Sequence, residues 1–276
     1  MLPQFIGVTG LPRAGSTLLC QLLAQHPDVA SEVHSSPLCN MILGVRRMIS
    51  DDTFFLAQLD GDFERSYGHL KSAMQGFLRG WHDGSGARAV VDKNRAWLHC
   101  IELLLEIEPD AKLVVCVREL GQIYGSIEAQ HQKTILLDFI DHLADFDRFG
   151  RADALFAKDK AIGAPLIGLH ALGDLPAHVL KHVFILRFED LLADAATTMS
   201  RLHAWLGLPP APFDPARLAT SAQESDSHYR MKYLHRQSEA LRPAGRHAIP
   251  ARIQARIEAA YPWFYQAYYA TAPGAA

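Results

Sequence analysis

The sequence predicts an α/β fold built on a mostly parallel sheet with helices on both faces. Three observations predict it. Four short apolar runs, each of strand length, punctuate the chain; each is followed by a loop or by apolar residues at helical spacing; and the first run ends in a Gly/Pro-rich turn that leads straight into a helix.

The runs are Gln4–Thr9, Ala87–Val91, Lys112–Val117 and His182–Leu186. They are continuous rather than alternating, which is the pattern of strands buried on both faces. Behind the first, Leu18, Leu19, Leu22 and Leu23 fall on one helical face; behind the second, Leu98, Ile101, Leu104 and Leu105 do the same. Ile123 and Ile127 follow the third, and Leu191, Leu192 and Met199 follow the fourth. Further helical patterns cover Ser36–Ile49, Phe63–His82, Ile135–Ala171 with breaks, and Pro250–Ala270, while Arg242–Pro250 reads as loop. No internal repeat or low-complexity linker divides the 276 residues, so one domain spanning residues 1–276 is expected.

The net charge of −3 with 14 neutral histidines carries no global basic bias, and nucleic acid is not an expected partner. An anionic ligand must then be held by local cations and backbone N–H groups. No apolar stretch is long enough to span a bilayer and the N-terminus lacks a signal-peptide pattern, so a cytoplasmic protein is expected. Cys20, Cys39, Cys100 and Cys116 lack metal-ligand spacing and read as reduced thiols.

The most informative segment is Val8-Thr9-Gly10-Leu11-Pro12-Arg13-Ala14-Gly15-Ser16-Thr17. A strand end followed by a glycine turn and a helix start presents unpaired N–H groups and a partial positive charge to an anion. The glycine spacing is that of a P-loop, but the lysine that grips the β and γ phosphates of a nucleoside triphosphate is replaced by Ser16, and the cation sits inside the loop at Arg13. A second cluster places Arg118 at the end of the third strand and Ser126 on the next helix; a third, Arg187-Phe188-Glu189-Asp190-Leu191, puts an aromatic and an acidic pair at the end of the fourth. Arginine suits phosphate because its planar fork binds two oxygens at once. Each cluster also has a plainer reading: a surface arginine pair, a capping arginine, a core aromatic before a helix.

Leu11–Thr17 resembles the 5′-phosphosulfate loop of sulfotransferases that use 3′-phosphoadenosine 5′-phosphosulfate (PAPS), and its arginine form is nearer the tyrosyl-protein and carbohydrate branches. Arg118 with Ser126 is similar to that family's 3′-phosphate site, and Phe188 to the aromatic that approaches adenine. The resemblance implies a P-loop-like sulfotransferase architecture and Arg13, Ala14, Gly15, Ser16, Thr17, Arg118, Ser126 and Phe188 as nucleotide-binding residues. It implies Lys93, in Val91-Asp92-Lys93-Asn94-Arg95, as the lysine that contacts the sulfuryl group, beside Arg13. It further implies PAPS as donor, no metal, and a small-molecule, carbohydrate or peptide acceptor. The histidine that one branch places two residues after the lysine is Arg95 here, which cannot act as a base. In His26-Pro27-Asp28-Val29-Ala30-Ser31-Glu32-Val33-His34, Glu32 and His34 are the two candidates, and a solvated loop is the alternative for both.

Thr220-Ser221-Ala222 has the place of an adenine-stacking segment without the aromatic, and Arg230, Lys232, Arg236, Arg242 and Arg246 form a basic stretch. Phe54, Phe55, Tyr67, Trp81 and Trp97 are candidates for an acceptor pocket. Two other functions fit less well: a P-loop kinase, for which Asp92 is the single acidic residue suited to Mg²⁺, and a non-catalytic PAPS-binding protein.

Overall fold

A computed structural model describes residues 3–139, 141–218, 239–242 and 245–270. Five strands form one all-parallel sheet in the order β2-β3-β1-β4-β5: β1 Gln4–Gly10, β2 Val29–Ser35, β3 Ala89–Lys93, β4 Lys112–Val117 and β5 Val183–Arg187. The helices are α1 Ser16–Leu23, α2 Leu38–Ser50, α3 Thr53–Gly61, α4 Phe63–Trp81, α5 Ile101–Ile107, α6 Leu120–Lys133, α7 Arg148–Phe156, α8 Gly163–Ala171, α9 Ala177–Leu180, α10 Phe188–Ala193, α11 Ala195–Leu206, α12 Ala251–Ala260 and α13 Pro262–Tyr268.

The four predicted strands are present, with the second shifted two residues later, so that Lys93 is its last residue instead of lying beyond it. β2 is an addition. Its side chains Val29-Ala30-Ser31-Glu32-Val33-His34-Ser35 bury only Val29 and Val33, because it is an edge strand bonded to β3 alone. That leaves no continuous apolar run to detect. The long pattern predicted over Ile135–Ala171 resolves into α7 and α8 with irregular chain before and between them, and the C-terminal pattern breaks at Pro262, which starts α13 at its first turn, where a proline is tolerated.

β1 lies between β3 and β4, so the chain leaves it towards one side of the sheet and later returns to the other. Such a reversal opens a crevice at the carboxyl ends of the strands, where open α/β sheets bind ligands. Buried apolar residues from all five strands and most helices form one contiguous cluster, with Trp97 wholly buried against Phe5 at 5.4 Å between ring centroids. The Trp97 indole N–H donates to the buried Asp92 carboxylate at 2.7 Å.

The region from α6 to α8 is fastened by a buried ion pair. Arg151 donates to both carboxylate oxygens of Glu128, at 2.6 and 2.9 Å, and also to the carbonyl of Phe146. Burial alone would raise the Glu128 pKa, but the hydrogen bonds from Arg151 and Gln132 outweigh it and hold it below the usual carboxylate range. Arg151→Ala leaves that charge buried and unmatched, and should cost about 3–5 kcal/mol. Chemical denaturation of the variant checks this. Because the folded pKa is depressed, the pair stabilises above the unfolded glutamate value and its contribution is lost as pH falls through the folded value.

Candidate active site

The crevice is shaped first by backbone. At the end of β1, Gly10 has φ 122°, and a Cβ there would lie 2.1 Å from the Cys116 carbonyl oxygen, which itself accepts a hydrogen bond from the Leu11 N–H at 2.9 Å. Only glycine fits so close to β4. On the β3 side, Thr9 Oγ1 donates to the Arg95 carbonyl at 3.0 Å and the Asn94 N–H to the Val8 carbonyl at 3.0 Å. Between these anchors the loop turns through Arg13 (φ 58°) and Gly15 (φ 86°), both left-handed. α1 then starts with no side chain capping it, so the N–H groups of its first turn face the crevice.

Side chains from motifs far apart in sequence meet here. Arg13 Nε donates to Ser126 Oγ at 3.1 Å, and Arg118 donates to the Arg13 carbonyl oxygen at 3.0 Å. Lys93 Nζ donates to Thr17 Oγ1 at 3.0 Å. The Arg118 guanidinium stacks over the Phe188 ring at 4.6 Å, and the same ring occupies the space a Cβ at residue 15 would need, 2.5 Å away. Burial lowers the Arg118 pKa, with Arg13 adding to that and Glu189 and Glu119 opposing it. A cavity of about 270 Å³ is lined by Arg13, Gly15, Ser16, Thr17, Lys93, Arg95, Arg118, Phe188 and Arg242, among others.

Of the predicted residues, Ala14 is buried beneath the loop and Ser126 reaches the site through Arg13. Glu32 and His34 do not line the cavity. A register shift between Ser31 and Ser35, with Val33 at φ 66°, turns Val33 into the core and Ser35 towards the cavity. Glu32 and His34 project outward and pair with each other at 3.0 Å, 73% and 48% exposed. Asp92 does not line the cavity either; it is buried with Trp97, and burial raises its pKa against the opposing hydrogen bonds from Ser36 and Trp97. Among the described residues one group has donor atoms close enough to share a cation, Asp138, His142 and Asp145, all exposed and outside the cavity.

Sequence reasoning missed three features. A second cavity of about 570 Å³ shares Arg13 and Arg95 with the first and is walled by Pro12, His99, Ile127 and Leu155. His99 gave no signal because it lies past the strand end in a 3₁₀ turn, Arg95–His99. The C-terminal aromatics pack and also carry hydrogen bonds: Tyr265 donates to Glu119 at 2.6 Å and Tyr269 to Glu189 at 2.8 Å, the residues just after Arg118 and Phe188. Phe55 and Tyr67 line a separate apolar cavity of about 720 Å³, whereas Trp97 is core. Residues Thr220, Ser221, Ala222, Arg230, Lys232 and Arg236 lie outside the described residues.

A parallel sheet carries a glycine loop, a helix start and several arginines and a lysine at its switch point, where open α/β sheets bind ligands. The profile of the sulfotransferase family matches residues 3–214, and the chain belongs to that family. The fold agrees. The sulfotransferase domain from the curacin biosynthetic pathway superposes with a TM-score of 0.53 at 17% identity, covering 95% of this chain and 98% of that one. A sulfotransferase from Alicyclobacillus acidocaldarius gives 0.52 at 13%, covering 94% and 91%. No curated protein sequence matches this one.

The contact between Gly15 and Phe188 can be tested without a ligand. Gly15→Ala should destabilise through left-handed strain of about 1–2 kcal/mol and through collision with the ring. Combining it with Phe188→Ala removes the collision, so the double variant should lose less than the sum of the singles in a thermal-melt cycle.

Proposed function

We propose that this member of the family moves a sulfuryl group from PAPS to a hydroxyl or amine of a small-molecule, carbohydrate or peptide acceptor, by in-line displacement and without a metal. The observation that carries this reading is the Arg13–Ser126 contact with Arg118 beside it. It joins an anion loop lacking the triphosphate lysine to a second phosphate-type cluster, which suits a ligand bearing one anionic group at each end of a nucleoside.

In this reading the first turn of α1 and Arg13 hold the 5′-phosphosulfate, Arg118 and Ser126 hold the 3′-phosphate, and Phe188 packs on the adenine. The acceptor oxygen or nitrogen attacks sulfur, the bond from sulfur to the 5′-phosphate oxygen breaks, and 3′,5′-adenosine bisphosphate (PAP) leaves. Negative charge grows on the bridging oxygen, where Lys93 and Arg13 stabilise it. The second cavity receives the acceptor, since it opens onto Arg13 and Arg95, and His99 on its wall takes the acceptor proton. Glu32 and His34 are the alternative bases, and their outward pairing makes them the weaker assignment. A cytoplasmic setting accords with four free cysteines, and no helix among the described residues is long and apolar enough to cross a membrane.

Calorimetric titration tests the ligand. PAP should bind far more tightly than ATP with Mg²⁺; the reverse order would return the protein to the kinase class. Arg118→Ala should weaken PAPS by about 1.5–3 kcal/mol while changing adenosine 5′-phosphosulfate, which lacks the 3′-phosphate, much less.

Turnover tests the chemistry. With an acceptor in hand, Lys93→Met should keep PAP affinity and melting temperature near wild type and slow single turnover by about a hundredfold or more. In the same assay His99→Gln should slow single turnover by about a hundredfold or more, and Glu32→Gln and His34→Asn should leave it near wild type. Near-normal turnover in Lys93→Met would end the lysine's catalytic assignment.

A further inference from the structure

The segment that crosses α6 on the way to α12 brings a histidine to the phosphate cluster. The backbone of His247 is clamped to Gln122: its N–H donates to Gln122 Oε1 at 2.8 Å, and its carbonyl accepts from Gln122 Nε2 at 3.2 Å. A Cβ on Gly125, the neighbour of Ser126, would lie 2.5 Å from His247 Cβ, so the segment sits flush against α6. The half-buried imidazole has no hydrogen-bond partner among the described residues.

Among the described residues, the charges that act on it are of one sign. Arg118 at the end of β4, Arg13 in the loop and Lys133 on α6 act on it, and burial together with these three cations lowers its pKa. The nearby carboxylates are committed elsewhere. Glu119 accepts from the N–H groups of Gly121 and Gln122 and from Gln254 and Tyr265, and Glu128 is held by Arg151. A neutral imidazole held among cations beside Ser126 lacks only an anion to become charged itself.

We infer that His247 is a further ligand of the 3′-phosphate and takes up a proton as that phosphate binds, so that nucleotide affinity is coupled to pH. The inference rests on the nucleotide reading above. Its sign is fixed by the electrostatics. The free imidazole is held neutral by its neighbours, and a dianionic phosphate raises its pKa, so binding is strongest below the free value and weakens as pH rises from there through the bound one. Each unit of difference between the free and bound pKa corresponds to about tenfold in affinity across that window.

The experiment titrates PAP and AMP, which differ in the 3′-phosphate, in two buffers of different ionisation enthalpy at about pH 7–8, above the second ionisation of the phosphate itself near ~6. Wild type should take up protons with PAP and not with AMP, and its PAP affinity should fall several-fold over that range. His247→Asn should abolish the uptake and weaken PAP at the lower pH; His247→Lys, permanently charged, should bind PAP tightly with no pH dependence. Equal proton uptake in wild type and His247→Asn, or none in wild type with PAP, would overturn the role of His247 while leaving the nucleotide reading intact. Should His247→Asn not fold, the wild-type comparison of PAP with AMP decides alone. Failure of wild type to bind PAP at all would overturn the nucleotide reading, and this inference with it.

Discussion

The close approach of β1 to β4 at Gly10 is the constraint on which the crevice depends. With the Cys116 carbonyl where a side chain would otherwise stand, the chain must leave β1 in the left-handed region and turn at once. The turn then passes through two more left-handed residues before α1 begins. A backbone so determined can hold unfavourable dihedrals at Arg13, because the anchors to Arg95 and Cys116 on either side leave the loop little freedom to relax. The arginine's carbonyl is thereby presented to Arg118 and its side chain to Ser126.

Around that loop the charges are unbalanced by design of the fold. Arg13, Lys93, Arg95, Arg118 and Arg242 line one small cavity. The carboxylates nearby are turned away: Asp92 into the core with Trp97, Glu119 onto the start of α6, Glu189 onto the Glu119 N–H and Tyr269. Such a concentration of positive charge on a protein of net charge −3 makes the attraction for anions local to this crevice, set by backbone N–H groups and a few fixed cations.

Most of this was legible in the chain, for definite reasons. The sheet's inner strands are unbroken apolar runs, and the loop's glycines, arginine and hydroxyls fall at spacings that only a few ligands require. β2 was not legible, since an edge strand burying two side chains looks like loop, and with it went the bulge that turns Glu32 and His34 outward. Nor could spacing place His99 on the wall of the second cavity or His247 against α6. His99 depends on a 3₁₀ turn and His247 on a clamp to Gln122, a residue 125 positions away. Contacts of that range are written in the packing of α6, and no local pattern announces them.

The hydroxyls of Tyr265 and Tyr269 have a consequence for how the molecule is made. Glu189, beside Phe188, waits for a partner 80 residues downstream, so the loop, Arg118 and Phe188 are synthesised before the braces behind them exist. At roughly 5–20 residues per second, that gap lasts about 4–16 seconds. During it the growing chain carries Arg13, Lys93, Arg95 and Arg118 on an unbraced scaffold, with Arg242 added partway through. The last helices act as a latch on the order of events: the crevice gains its backing only when synthesis has passed α13.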